Sequence, residues 1–492
     1  MRSTAGWLAG AVLLLLAFWA RGHAVFVPPM RSTAPIESLS YAPFRPGQSP
    51  LAPARWPSRA QVAADLALLA GKTRAIRTYG AIGGAYDLPA LARAAGLHVW
   101  QGIWLSADAA ANAREIAAGI ALARAHPHTI TRVIVGNEVL LRGDLTEPAL
   151  AAMLDRVRAA VRQPVAYADV WEFWAKNPAL AAHVDQMMVH VLPYWENHPV
   201  PADRAVAHIA RVLARMAQEF PGKPIVLGET GWPSRGHWRG AAAPGRVAQT
   251  RFLRAFLDRA AAAHWDYNII EAFDQHWKVA TEGSVGTAWG LWSADRHAKF
   301  SRTGPVARDP DWPLHAALAL ALAALLAAFW DRPAGDRSHG RRVLLACAAG
   351  GLLVAADQAL AALAFTPARL ALAALALAGQ AGLAITLGRA QARRLHAWLA
   401  LAFLVLALAV SVPVALWPRY RDLPTPLLAL AGLAALAGTV PAGPRAIRAV
   451  LAAGLGASAC AIAVHGGLAD RPAWLCAGLL LVLAGAGARR AA

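Results

Sequence analysis

The hydrophobic rhythm of the chain changes once, near Pro313. Before that point, short β-branched runs alternate with stretches whose apolar residues recur every three or four positions, the periods of strands and amphipathic helices. The runs predict strands at Ser38–Phe44, Arg74–Tyr79, His98–Trp104, Thr131–Asn137, Val165–Asp169, Gln186–His190, Ile225–Glu229 and Ile269–Asp274. The helical period marks Arg59–Ala70 between Ser58 and Gly71, Leu88–Ala95, Asn112–Ala125 and Glu147–Val161 behind Thr146. It continues at Pro178–His183, Ala202–Phe220 and Arg246–Ala263. Eight strand signals with intervening helices, over roughly 270 residues, predict an α/β fold, the (β/α)8 TIM barrel. No Gly-x-Gly-x-x-Gly opens a helix, so an open doubly wound sheet fits less well.

After the polar linker Ser301–Asp311 the apolar runs become continuous: Leu314–Trp330, Val343–Phe365, Leu370–Gly388, Trp398–Trp417, Pro426–Val440, Val450–Leu468 and Ala473–Ala488. Because ~20 apolar residues cross a hydrocarbon core of ~30 Å, they predict an all-α polytopic membrane domain of about seven transmembrane helices. Arg2 followed by the apolar stretch Gly6–Ala20 predicts a signal peptide or signal anchor, and the poor cleavage site at Arg21–Ala24 favours the anchor. The expected organisation is a leader over 1–23, a barrel over 24–311 and a membrane domain over 312–492. Asp357, Gln358, Gln380 and His465 are expected to face the bundle interior, since lipid solvates them poorly.

The net charge of +19 suggests nucleic acid until it is located. Residues 24–312 carry a surplus of only 7, and the other 12 lie in the leader and the apolar half. If the apolar helices alternate across a membrane, one set of loops holds eleven arginines (332, 337, 341, 342, 389, 393, 394, 445, 448, 489 and 490) and the other four (369, 419, 421 and 471). The positive-inside rule then puts the barrel on the periplasmic side of the inner membrane of the cell. Membrane lipid is an expected partner and nucleic acid is not. Cys347, Cys460 and Cys476 all fall in apolar runs and read as small core residues.

The candidate chemistry sits at two strand ends. Glu138 closes Val135-Gly136-Asn137-Glu138, and Glu229 follows Ile225–Leu227. Either glutamate alone reads as a helix cap or an ion-pair partner. Two carboxylates at the carboxyl ends of strands in one sheet can face each other, as acid-assisted glycoside cleavage requires. Of 19 tryptophans, 13 lie between Trp56 and Trp312, with Trp104, Trp171, Trp195, Trp232 and Trp277 just past strand ends. Sugar rings stack on such surfaces, and Trp232 and Trp277 are the favoured cleft residues. Arg77 reads equally as a substrate contact or a buried ion-pair partner. No His-Glu-x-x-His or Gly-x-Ser-x-Gly is present, and neither metal nor cofactor is expected.

Gly136-Asn137-Glu138 followed by Gly228-Glu229-Thr230-Gly231-Trp232-Pro233-Ser234 resembles glycoside hydrolase family 17, the β-1,3-glucanases and glucanosyltransferases. The resemblance extends to Ser40-Tyr41-Ala42-Pro43-Phe44, Ile76-Arg77-Thr78-Tyr79-Gly80, His190–Trp195, and Glu271–Lys278 with Glu282-Gly283. It implies a retaining mechanism with Glu138 as acid/base and Glu229 as nucleophile. It further implies Asn137 on the sugar 2-hydroxyl, Tyr194 supporting the nucleophile, and Tyr41, Arg77, Trp232, Trp277, Lys278 and Glu282 among the substrate contacts. Gln275 stands where plant members carry an acid. The implied substrate is β-1,3-glucan, as polysaccharide or oligosaccharide, with a glucan synthase as a further partner. Transglycosylation that remodels or branches the glucan is the alternative. A non-catalytic glycan-binding or export protein would need one glutamate replaced.

Overall fold

The computed structural model describes residues 2–52, 55–331, 336–361, 367–416, 422–423 and 425–489. Phe365 and Trp417, at the ends of predicted spans, and the loop residues Arg332, Arg419, Arg421 and Arg490 lie outside these ranges. A short β1 (Ala24–Val25) precedes eight barrel strands: β2 (Ile36–Ser40), β3 (Thr73–Arg77), β4 (His98–Ile103), β5 (Ile130–Asn137), β6 (Val165–Val170), β7 (Gln186–His190), β8 (Ile225–Thr230) and β9 (Tyr267–Ile269). They form a closed parallel barrel in chain order, with β9 returning to β2. Helix α1 (Arg2–Ala20) is followed in the barrel by α2 (Arg59–Leu69), α3 (Leu88–Ala94), α4 (Ala109–Ala125), α5 (Val139–Arg142) and α6 (Glu147–Arg158). Then come α7 (Trp171–Lys176), α8 (Ala202–Glu219), α9 (Arg246–Ala263) and the short α10 (Val279–Gly286).

Local chemistry explains these boundaries. Ser58 and Gln61 form a reciprocal capping box that starts α2, and Asp87 and Asp108 cap α3 and α4 through side-chain carboxylates. Thr146 occupies the cap position of α6, but its hydroxyl makes no capping bond. Alternation along the strands sorts the core. Ile76, Val99, Val133 and Val165 pack toward the helices, while Ala75, Trp100, Ile134, Ala166, Met188 and Val226 form a separate cluster inside the barrel. Above this plug, the same inward face carries Ser40, Arg77 and His190, so the barrel turns polar toward its carboxyl rim.

The eighth predicted strand ends early. Past Ile269 the amides of Ile270 and Ala272 still donate to Thr230 O and Ser40 O on the flanking strands, but Leu291 N donates to Glu271 O and Trp292 N to Ala272 O, each at 2.9 Å, so the regular ladder stops.

A two-stranded stem joins barrel and bundle. β1 pairs antiparallel with β10 (Val306–Ala307), and Asp309 N donates to Gly22 O at 3.0 Å. The bundle comprises α11 (Trp312–Phe329), α12 (Asp336–Ala361), α13 (Pro367–Leu387), α14 (Arg393–Leu416), α15 (Thr425–Leu436), α16 (Arg445–Gly466) and α17 (Arg471–Ala488). Among the described residues, six helices are long and apolar enough to cross a membrane, consistent with a multi-pass protein; α15 is a shorter apolar helix. Ala11, Leu15 and Trp19 of α1 pack against Ala316, Ala319, Val343 and Cys347. Gln380 is fully buried as expected, whereas Asp357 and His465 are exposed. Both lie within the last turns of their helices, where a polar side chain reaches the interface. Cys460 likewise faces outward, unlike Cys347 and Cys476.

Candidate active site

Glu138 follows the last residue of β5, in a left-handed conformation (φ 52°). Gly136 (φ 84°) makes that turn feasible: a Cβ there would stand 2.8 Å from a Val139 methyl. Such strain costs about 1–3 kcal/mol and clusters at sites where a side chain must be aimed. Glu229 lies in β8 and is 4% exposed. Between the two carboxylates sits His190 from the end of β7, hydrogen-bonded through Nδ1 to Glu138 Oε1 at 2.9 Å, with Nε2 at 3.8 Å from Glu229 Oε1. One oxygen of Glu138, one of Glu229 and a ring nitrogen of His190 all fall within 4.8 Å of one another. Gly228 leaves room for the imidazole, since a Cβ at that position would lie 2.8 Å from His190 Cδ2.

Arg77, 1% exposed, is a buried ion-pair partner. Its Nη1 donates to Glu229 Oε1 and its Nη2 to Asn137 Oδ1 at 2.6 Å. Burial disfavours the Glu229 anion, but His190, Arg77, the Tyr79 hydroxyl and Lys278 outweigh burial and hold the carboxyl below its ordinary value. Tyr79 OH reaches Glu229 Oε1 at 2.9 Å and meets Ser40 Oγ at the same distance. Ser40 Oγ in turn accepts from Asn268 Nδ2 at 2.8 Å. Behind Glu138, Asp169 is pushed up to about 6 by burial and by the Glu138 charge. Glu271 is pushed up to about 7 by burial, although Lys278 Nζ donates to it at 2.9 Å.

These groups open onto a cavity of about 520 Å³ lined by both glutamates, His190, Trp171, Trp195, Trp289, Lys278 and Glu282. Burial, and beyond it the charges of Glu138 and Glu229, raise the Glu282 carboxyl. Glu172 and Glu196 occupy another part of the wall, with Trp171 Nε1 donating to Glu196 at 3.2 Å. Two carboxylates and an imidazole are also a metal-ligand set. Here Arg77 and Lys278 already supply positive charge to Glu229, which disfavours a cation.

Other sequence-predicted residues lie elsewhere. Tyr194 is fully buried and donates its hydroxyl to His237 O at 2.8 Å, so the hydroxyl on Glu229 is Tyr79's instead. Trp232, also fully buried, donates to Ala243 O at 3.1 Å and packs on Tyr194 and Phe252. Tyr41 packs on Phe273 and donates to Asp65 at 3.3 Å, within the core. Trp277 donates to Gln275 at 3.0 Å and is not a wall residue of the cavity. Lys278 and Glu282 do line it. Tyr79 and His190 also reach the site from inside motifs already noted, though nothing in the local pattern singles them out.

A paired-carboxylate site at the carboxyl rim of a closed barrel is a glycosidase arrangement. The BtgE/BtgC glycoside hydrolase domain matches residues 38–290. The chain belongs to glycoside hydrolase family 17. As a member of this family it is a glycoside hydrolase or related transglycosylase. A glucan 1,3-β-glucosidase of Candida albicans is 28% identical over 263 residues, 48% of this chain and 84% of that protein. One from Schizosaccharomyces pombe is 30% identical over 255 residues, covering 48% and 79%. Among solved structures, a family 17 β-1,3-glucanosyltransferase from Rhizomucor miehei aligns over 55% of this chain and 98% of its own, at 23% identity and a TM-score of 0.48.

Proposed function

We propose that this family 17 member cleaves β-1,3-glucan with retention, Glu229 attacking the anomeric carbon and Glu138 protonating the departing oxygen. The observation that carries this reading is the approach of the two carboxylates to within 4.8 Å around His190, close to the ~5–5.5 Å separation of retaining pairs and short of the ~6.5–9.5 Å that an inverting water needs. Their environments also divide the roles. Glu229 is buried and held ionised by Arg77 and Tyr79, as a nucleophile requires. Glu138 is 24% exposed toward the cavity, where its proton can be replenished between steps. After departure of the leaving group, Glu138 takes a proton from the incoming oxygen and the glycosyl–Glu229 ester opens. The names of the fungal relatives support β-1,3-glucan as the substrate.

Transfer to a sugar hydroxyl is the second reading. Trp171 and Trp195 share the cavity with Glu138 and offer surfaces on which an accepting sugar could stack in place of water. The apolar helices and the arginine bias support a place in the inner membrane with the barrel on the periplasmic side, where a glucan synthase would supply nascent chain. Incubating the full-length protein with laminari-oligosaccharides and following products by mass tests both readings. Shorter sugars alone indicate hydrolysis, and longer or branched ones indicate transfer. No turnover by the wild-type chain would overturn both.

A further inference from the structure

The bundle touches the barrel at a second place besides the β1/β10 stem, beside the catalytic rim. Asp422, in the connection between α14 and α15, accepts from Ser284 N at 2.8 Å and also from Ser284 Oγ. One Asp422 oxygen stands 3.9 Å from His237 Nδ1. Asp470 caps α17 through Ala473 N at 3.0 Å. His237 is 9% exposed, and neither of its ring nitrogens has a hydrogen-bond partner among the described residues. An acidic residue from one end of the bundle therefore closes on Ser284 and faces His237 of the loop 233–245.

Both contacted segments shape the cavity. Ser284 belongs to α10, which carries Thr281 and Glu282 into the cavity wall and follows directly on Lys278. The loop reaches the opposite wall through Tyr194 OH on His237 O and through Arg239. Arg239 donates to Tyr194 O at 2.7 Å and to Glu196 O at 3.2 Å, and its guanidinium lies 5.3 Å from the Trp195 ring. The loop and α10 also press on each other, since a Cβ on Gly236 would stand 2.5 Å from that of Val285.

We propose that Asp422 is a positioning residue of the glycosidase: by gripping Ser284 beside His237, the membrane bundle holds the cavity wall that presents Lys278, Thr281, Glu282 and Trp195 to the glycan. The proposal rests on the reading of this cavity as the glycan site. It gives the bundle a part in substrate recognition, beyond holding the enzyme at a membrane. Asp422 does not touch the reacting atoms, so its loss should act on binding far more than on the chemical step.

The test uses the full-length protein in detergent or lipid nanodiscs, with Asp422→Ala, Asp422→Asn, Ser284→Ala and the double variant Asp422→Ala/Ser284→Ala. Asp422→Ala is expected to raise KM for laminari-oligosaccharides about tenfold with kcat within about threefold, the loss of one to two charge-assisted hydrogen bonds. Asp422→Asn should fall between it and wild type, and the double variant should be no worse than Asp422→Ala. Amide exchange of segments 233–245 and 278–287 should quicken in the same variants, while the barrel strands keep their protection. Ser284→Ala reads the same bond from the barrel side, so the test survives if Asp422→Ala fails to assemble. Unchanged KM in Ser284→Ala and Asp422→Asn, or quickened exchange with unchanged KM, would overturn the positioning role. Inactive wild-type protein would instead refute the substrate reading, and exchange in the two segments would still decide whether the grip exists.

Discussion

Tyr79 donates its hydroxyl to Oε1 of Glu229 at 2.9 Å, from the turn that follows β3. The bond favours the carboxylate over the acid. Tyr79→Phe should lower kcat by roughly ten- to a hundredfold, the worth of one hydrogen bond to a charged group. It should also move the acid limb of the kcat/KM profile upward. In the wild type that limb falls below 4.5, the ordinary value from which Glu229 is lowered. An unchanged profile in the variant would show that Tyr79 does not set the ionisation of Glu229.

Arg77 binds Glu229 and Asn137 together, so its loss leaves a buried carboxylate unpaired. Arg77→Met should cost about 3–5 kcal/mol of stability and reduce turnover more than a hundredfold. Arg77→Lys, which supplies charge without the two-pronged geometry, should recover stability better than rate. Denaturant midpoints and kcat measured on the same samples separate the two effects.

The assigned roles of the glutamates can be read from stereochemistry. On a substrate with a good leaving group, Glu138→Ala should form a β-glycosyl azide when azide is added, because azide enters from the face the acid/base has vacated. Glu229→Ala should give the α-azide, with azide standing in for the nucleophile. Interchanged products would reverse the assignment. Treatment with a chelator should leave wild-type turnover unchanged, since Arg77 and Lys278 already neutralise the site.

Stability should fall with rising pH through Glu271. Burial raises its carboxyl from 4.5 to about 7, so the folded protein binds its proton more tightly than the unfolded chain does. The resulting contribution is complete below 4.5, declines as the pH approaches about 7, and is absent above. Glu271→Gln should flatten that decline in denaturant midpoints taken from pH 4.5 to 8.

The tryptophans divide by location. Trp171→Ala and Trp195→Ala should raise KM severalfold with little change in thermal stability. Trp232→Ala should instead cost about 3–5 kcal/mol of stability, as expected for an aromatic side chain removed from a packed core. A KM effect confined to Trp232→Ala would reverse that division.

Much of this fold was legible because a barrel built of strand–helix units writes its period locally. Seven strands appeared within a few residues of their predicted bounds. The eighth ends at Ile269, since the backbone of Ile270–Asp274 is shared between the flanking strands and Trp289–Trp292, a contact no local pattern records. The convergence of Glu138 and Glu229 on one cavity was legible from their strand-end motifs. Tyrosine roles were not: Tyr79 and Tyr194 both follow strands, and only the folded barrel turns one toward Glu229 and the other toward His237. Trp232 was misread for a related reason, since proximity to Glu229 in the chain does not decide which face of the strand end a ring takes. The contact of Asp422 with Ser284 spans 138 positions and had no signature in the sequence.

Helix α1 seats Ala11, Leu15 and Trp19 against α11 and α12. It is therefore packed as a stave of the bundle. Recombinant production behind a foreign, removable export signal would strip that stave and uncover an apolar seam next to the β1/β10 stem. A vector that retains residues 2–20 is the one expected to yield intact protein.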